Sequence, residues 1–403
     1  MTRPVTATPA SSAPATPDAL LNTYKRAPME IVRGAGSELF DADGRAYLDF
    51  TAGIAVMALG HGDEGVANAM REALESGLTH VSNLFRTRPG ELLAARLAEL
   101  SFADRVFFCN SGAEANEGAF KFVRKWARAQ GGPAKHEILS VRGAFHGRLF
   151  ATLAATDRPQ YRAPFRPLAG GVSIVERDLD ELRTVLDPER VAALVIEPVQ
   201  GEGGMRVLDA AFLRDVRALT RERGIALVLD EIQCGLGRTG TLFAYQQSGI
   251  TPDVMTLAKP LAGGLPMGAI LMTQDIADAM QPGDHGTTFG GGPFVAHVAL
   301  HVLDRLADPR MLAHVREAGA WFGAALQSLQ ERSGRIRAVR GVGLMWGVDV
   351  TPSAADVIAR ARDRGLLLVS AGEHTIRFLP PLVITQDELA RGLSIFEDAL
   401  TSA

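Results

Sequence analysis

Between Arg105 and Met272 the chain alternates short runs of β-branched and aliphatic residues with longer helix-periodic runs. This alternation narrows the possible folds more than any other feature. The runs Arg105–Cys109, Glu137–Val141, 192–197, Ala226–Asp230, Val254–Leu257 and 269–272 read as strands, and 113–128 and 211–223 read as helices. Strands that are apolar along their whole length are buried on both faces, so the pattern predicts an α/β fold with a large, mostly parallel sheet covered by helices on both faces. In such sheets the reactive groups gather at strand ends and in the loops beyond them.

The flanking segments read differently. Glu38 to Phe40 and Arg45 to Phe50 bracket the polar turn Asp41-Ala42-Asp43-Gly44, a β-hairpin signal. The C-terminal third contributes a helix near 311–333, a glycine-bounded strand at 341–348 and a closing helix from Gln386. A length of 403 residues, set against ~100–200 per domain, predicts two domains. Residues 1–17 are rich in Thr, Ala, Pro and Ser, lack the apolar run of a signal peptide, and are expected to form a disordered tail. No stretch reaches the ~20 apolar residues of a spanning helix. A formal net charge of −4 without a long basic run disfavours nucleic acid or an anionic membrane as partner. With only Cys109 and Cys234, a disulfide scaffold is excluded and a reducing cytoplasm is expected.

Three strand-end clusters carry chemistry. In Cys109-Asn110-Ser111-Gly112-Ala113-Glu114-Ala115-Asn116 an apolar strand runs into a helix start. Its free N–H groups at Ser111, Gly112 and Ala113 suit a phosphate, although a serine there also serves simply as a cap. In Leu227-Val228-Leu229-Asp230-Glu231-Ile232-Gln233 an acid closes a buried strand and needs a donor, from the protein or from a protonated ring nitrogen. In Thr256-Leu257-Ala258-Lys259-Pro260-Leu261-Ala262-Gly263-Gly264 a lysine ends a strand just before a glycine-rich loop. Taken alone Lys259 reads more readily as a snorkelling structural cation, but a desolvated amine is also the nucleophile that forms an imine with an aldehyde.

Phosphate cradle, strand-end acid and strand-end lysine are together the three grips that pyridoxal phosphate requires. Here the chain resembles the class III (ornithine-type) aminotransferases of PLP fold type I, from about Tyr24 to Ala399. The resemblance implies an aspartate-aminotransferase-like fold, with a large PLP-binding domain over 61–310 and a small α+β domain assembled from 18–60 and 311–403. It makes Lys259 and Asp230 catalytic and places Ser111, Gly112, Ala113, Glu231 and Gln233 around the cofactor, with Phe145 and Ile232 on opposite ring faces. It assigns Arg148, in Phe145-His146-Gly147-Arg148, to the substrate's α-carboxylate. Glu202, in Glu197-Pro198-Val199-Gln200-Gly201-Glu202, is matched with Arg377, in Thr375-Ile376-Arg377-Phe378, as a neutralising pair. Thr288 is implied to reach a partner subunit's phosphate and Thr287 its substrate, which makes the protein a homodimer.

The resemblance further implies transamination of N2-acetyl-L-ornithine with 2-oxoglutarate, giving N-acetyl-L-glutamate 5-semialdehyde and L-glutamate. Carrier-protein-bound lysine, succinylornithine, ornithine and 4-aminobutyrate remain alternative donors. Departures from the family wording fall at Met57 and Phe85, in the donor pocket, and at Pro260 and Gly292.

Two other motifs compete. Gly235-Leu236-Gly237-Arg238-Thr239-Gly240 matches the dinucleotide string of an oxidoreductase, but its strand stops at Asp230, no helix follows Gly240, and Asp253 precedes its strand rather than ending it. His297 and His301, four apart on an otherwise apolar helix, could face one metal, yet lack the intervening glutamate of a metalloprotease helix; no metal is expected.

Overall fold

A seven-stranded sheet lies at the centre of the computed structural model, which describes residues 19–402; the expected tail falls outside them. Its strands run in the spatial order Arg105–Cys109, Gly268–Met272, Val254–Leu257, Ala226–Asp230, Val191–Ile196, Glu137–Val141, Val172–Val175. Six run parallel, and Gly268–Met272 is antiparallel to both of its neighbours. The sheet is thus mostly parallel, as the apolar runs require. Every residue of Val191–Ile196, Ala226–Asp230, Val254–Leu257 and Gly268–Met272 is buried. Full burial contributes about 1.5–3 kcal/mol for each large aliphatic side chain, so these runs anchor the molecule.

The helix Gly112–Gly131 shows how the sheet is covered. Ala115, Ala119, Phe122, Val123 and Trp126 recur at helical spacing on its buried face, and several pack with Val195, Val228 and Ile270. A Cβ added at Gly118 would lie 2.5 Å from Ile270 Cδ1, so a side chain there would push the helix off the sheet. The helix begins where Ser111 Oγ accepts a hydrogen bond from the backbone N–H of Glu114. That cap fixes where its free N–H groups point.

The two ends of the chain meet beside this sheet. Ile31–Ala35, Glu38–Asp41 and Ala46–Asp49 form an antiparallel sheet whose last strand pairs in parallel with Leu366–Leu367 from the other end. The expected hairpin around 41–44 is present. A second four-stranded sheet contains Ile336–Val342, Met345–Val350, Thr375–Phe378 and Val369–Ala371. Segment 341–348, expected to be one strand, is instead the turn of a hairpin. Gly343 adopts φ +56 there and the chain reverses, because a Cβ at that position would meet the backbone of Arg238 and Thr239. Phe50 packs edge-on against Phe322 and Phe378, and Leu379 N–H donates to Phe50 C=O, which ties Arg377's strand to the N-terminal segment. Among the described residues no helix is long and apolar enough to cross a membrane.

Candidate active site

The strand ends converge on a cavity of about 410 Å³ lined by Ser111, Gly112, Phe145, Arg148, Asp230 and Lys259, among others. Asp230 is 4% exposed and closes the buried strand Ala226–Asp230. Its Oδ2 accepts from Asn116 Nδ2 at 2.7 Å and pairs with His146 Nδ1 at 2.8 Å, while Oδ1 accepts from Ile232 N–H at 3.1 Å. Asn116 is itself fixed: Nδ2 also donates to the His146 carbonyl at 2.9 Å, and Thr256 Oγ1 donates to Oδ1 at 2.8 Å. Burial pulls the His146 pKa down, but the hydrogen bond and charge of Asp230 outweigh it and the net shift is upward. Asp230 thus sits in a dry site with its donors already in place.

Lys259 follows the buried strand Val254–Leu257 and opens onto the same cavity. Its φ of +25 lies in a region that L residues rarely enter, and such strain persists only where the surroundings impose it. Desolvation lowers its pKa, opposed by Asp230 and reinforced by Arg377. A larger neutral fraction makes the amine a better nucleophile and proton carrier.

Two guanidinium groups reach the site in different states. Arg148 is exposed, stacks 3.7 Å over the Tyr161 ring, and forms no ion pair among the described residues. Arg377 is buried and its NH1 lies 2.6 Å from Glu202 Oε1. That contact is a charge pairing without the angle of an aligned hydrogen bond, and Arg377 Nε has no partner.

Several features fit pyridoxal phosphate. The N–H groups at the start of the 20-residue helix Gly112–Gly131 face the cavity through Ser111, Gly112 and Ala113. A Cβ at Gly112 would come within 2.8 Å of Ile232 Cδ1, so glycine keeps the space between helix start and ring wall. Gln233 Oε1 is buried without a partner beside the cavity, an acceptor that a ligand hydroxyl would satisfy. Phe145 and Ile232 both line the cavity.

Glu231 does not belong to this set, contrary to expectation. Its carboxylate turns away and accepts from the backbone N–H groups of Ala244 at 2.6 Å and Tyr245 at 2.7 Å. Successive residues at a strand end point to opposite sides, so Asp230 and Glu231 serve different loops. Burial pushes the Glu231 pKa up to about 7. Thr287 and Thr288 also lie outside the cavity, in a separate groove with Asn83, Phe85 and His285. Met57 borders Gly264, Pro260 opens the short 3-10 turn Lys259–Ala262, and Gly292 precedes the helix Pro293–Ala307. Asn116, Thr256, His146 and Glu197 went unassigned in the sequence. The signals were modest: Asn116 lies one helical turn beyond Gly112, and His146 follows Phe145 directly. Glu197 accepts from Phe145 N–H at 2.8 Å, and burial raises its pKa, opposed by His146.

The decoys resolve locally. Asp253 pairs with Arg217 through two contacts of 2.6 and 2.8 Å, and only the short 3-10 turn Ala244–Ser248, not an α-helix opening from the string, follows Gly240, so the dinucleotide string lies in a loop. His297 lies 3.3 Å from Glu72, while His301 abuts Gly65.

Residues 21–400 match the family model described as Aminotransferase class-III. The chain belongs to the class-III aminotransferases. It is 46% identical over 386 residues to a mitochondrial acetylornithine aminotransferase of Alnus glutinosa, covering 94% of this chain and 85% of that one. It is 42% identical over 382 residues to the acetylornithine aminotransferase of Methanocaldococcus jannaschii, covering 94% and 96%. The fold matches the ornithine aminotransferase of Toxoplasma gondii with TM-score 0.91 at 31% identity, covering 95% and 92% of the two chains. It also matches N-acetylornithine aminotransferase of Stenotrophomonas maltophilia with TM-score 0.82 at 38% identity, covering 93% and 96%. As a class-III aminotransferase, the protein is an enzyme whose cofactor is pyridoxal phosphate, and its substrates are small amino and oxo acids.

Proposed function

We propose that this aminotransferase moves the distal amino group of N2-acetyl-L-ornithine to 2-oxoglutarate, yielding N-acetyl-L-glutamate 5-semialdehyde and L-glutamate, a step of arginine biosynthesis. The observation that carries the reading is the pairing of a free Arg148 with an Arg377 masked by Glu202 at 2.6 Å. With Arg377 masked, one carboxylate receptor remains, and an acyl-amino acid that presents its distal amine has one carboxylate for Arg148. A dicarboxylate needs two receptors. Glu202 then swings aside, Arg377 takes the α-carboxylate and Arg148 the γ-carboxylate, each through a planar fork. The names borne by the relatives from Alnus and Methanocaldococcus support the same donor.

When bound, pyridoxal phosphate supplies an aldehyde and an electron-withdrawing ring. The N–H groups after Ser111 would hold its phosphate, Phe145 and Ile232 would flank the ring, and the unpartnered Gln233 Oε1 would accept from its phenolic hydroxyl. Asp230 would hold the proton on the ring nitrogen. Lys259 would be the amine that holds the aldehyde, and its free amine would carry the proton at the substrate carbon.

Further parts of the reading concern assembly. The protein works as a homodimer in which Thr288 and Thr287 of each chain complete the partner's phosphate and substrate sites. Both lie outside their own chain's cavity, and the exposed Leu84, Phe85 and Phe289 beside them favour a covering surface. The large domain spans 61–310 and the small one 18–60 with 311–403, a division supported by the shared sheet of the two chain ends. A cytoplasmic location is supported by two cysteines that are both free and buried.

The test is a stopped-flow panel. The purified holoenzyme is mixed with acetylornithine, succinylornithine, ornithine and 4-aminobutyrate, and the loss of its visible absorbance is followed. Acetylornithine is expected to react at least about tenfold faster than ornithine or 4-aminobutyrate. A preference for ornithine overturns the donor assignment.

A further inference from the structure

A second cavity, of about 600 Å³, is lined by arginines that donate to the segment 200–204, which carries Glu202. Arg177, Arg206 and Arg340 line it with Trp346, Gln327 and Val339, and no carboxylate belongs to its wall. The three guanidinium groups are not equivalent. Arg340 is neutralised by Asp349 through two contacts of 2.7 Å. Arg177 has only the side-chain amide oxygen of Gln200, at 3.0 Å, and Arg206 only the carbonyl of Gly203, at 3.1 Å. Neither forms an ion pair among the described residues, and although the Asp349 carboxylate bound to Arg340 also feels the charge of Arg206, the three guanidinium groups outnumber that one carboxylate. Arg177 and Arg206 also sense each other: burial depresses the Arg177 pKa, and the charge of Arg206 depresses it further.

Holding the loop does not require this arrangement. A carbonyl and an amide oxygen are satisfied by neutral donors, whereas two like charges gathered in a concavity focus a potential that a small anion relieves. Each guanidinium has spent one N–H on the loop and keeps the rest of its planar fork, which fits carboxylate oxygens in pairs. Trp346 donates its ring N–H to the Gly343 carbonyl at 2.7 Å and so offers the cavity ring surface only. The volume falls within the ~300–1,000 Å³ usual for metabolite pockets.

We propose that this cavity is a second anion site that binds a small di- or tricarboxylate between Arg177 and Arg206. The site shares no lining residue with the catalytic cavity, and the proposal does not depend on which amine is the donor. Arg177, Arg206 and Arg340 each donate to the segment 200–204, so an anion held by them is linked through these side chains to the loop that presents Glu202.

The test is calorimetry on the holoenzyme with citrate and, separately, inorganic phosphate as probes. Four proteins are compared: wild type, Arg206→Gln, Arg177→Gln/Arg206→Gln, and Arg148→Ala/Arg377→Ala. Citrate is expected to bind wild type and the Arg148/Arg377 variant with affinities within about twofold, and to bind both Arg206 variants at least about tenfold more weakly. Arg206 is exposed, so its single substitution is expected to leave folding and the cofactor's visible absorbance intact. Citrate binding that survives in the Arg177/Arg206 variant, or that disappears with Arg148 and Arg377, overturns the site. Absence of citrate binding to wild type overturns it as well. Phosphate binding about tenfold tighter than citrate overturns the carboxylate assignment.

Discussion

The Asp230 side of the active site and the Arg377 side are both buried and both charged, yet they are built in opposite ways. Around Asp230 three donors reach one carboxylate, and the most central of them, Asn116, has both ends of its amide bonded. Around Arg377 a single contact to Glu202 does the holding, and Nε is left without a partner. A saturated network has no alternative arrangement of comparable energy, whereas a lone ion pair whose acid sits on a loop can open. On the proposed function, the difference assigns fixed positions to the chemistry-bearing groups and an openable contact to the substrate-reading ones.

Breaking the fixed half is expected to give the largest effects. Lys259→Ala should lower turnover by more than about 10⁴-fold, because the variant loses both nucleophile and proton carrier. Cofactor retention checked by visible spectroscopy and single-turnover rates measures this; a variant that binds the cofactor with wild-type absorbance contradicts it. Asp230→Asn should slow both half-reactions by about 10³-fold while the cofactor stays bound, and equal slowing of the two separates an electronic role from a substrate-reading one. Asn116→Ala removes one donor from Asp230 and strands the Thr256 hydroxyl. A loss of about 1–3 kcal/mol in denaturant stability is expected, with a rate decrease of about tenfold. Intact stability would show that the network is not what holds Asp230.

The legibility of these two halves in the sequence differs for physical reasons. Asp230 was readable because it ends a fully apolar run, where a charged group needs a partner, and Lys259 and Gly112 because they stand just beyond apolar strands at a glycine-rich loop and a helix start. Asn116 and Thr256 were not, since a small polar residue inside a helix or strand has many local uses and only the tertiary packing shows that they share Asp230. The six strands read between 105 and 272 fall within a residue of their places, but Val172–Val175 was missed and the 341–348 hairpin was read as one strand. Its turn depends on a positive φ at Gly343 that the run of apolar neighbours disguised. Glu231 was drawn towards the cofactor by its neighbour, while the alternation of the strand end sends it to Ala244 and Tyr245.

A smaller effect sharpens that last distinction. The Glu231 pKa is raised from 4.5 to about 7 by burial, so the folded state holds a proton that the unfolded state releases between these values. A raised pKa contributes stability that is complete below about 4.5 and lost as the pH climbs towards 7. The melting temperature of Glu231→Gln relative to wild type is therefore expected to rise from pH 5 to pH 8 by a few degrees, about the size of a modest ΔΔG. A difference that is flat with pH would mean that Glu231 is ionised in the fold.

The central claim is that Glu202 on Arg377 decides which carboxylate pattern the enzyme accepts. It is tested most directly by stopped-flow measurement of the acetylornithine and glutamate half-reactions in wild type and Glu202→Ala. With the mask removed, Arg377 stands open to a second carboxylate at all times, and the glutamate-to-acetylornithine rate ratio is expected to rise by at least about tenfold. An unchanged ratio would contradict the account.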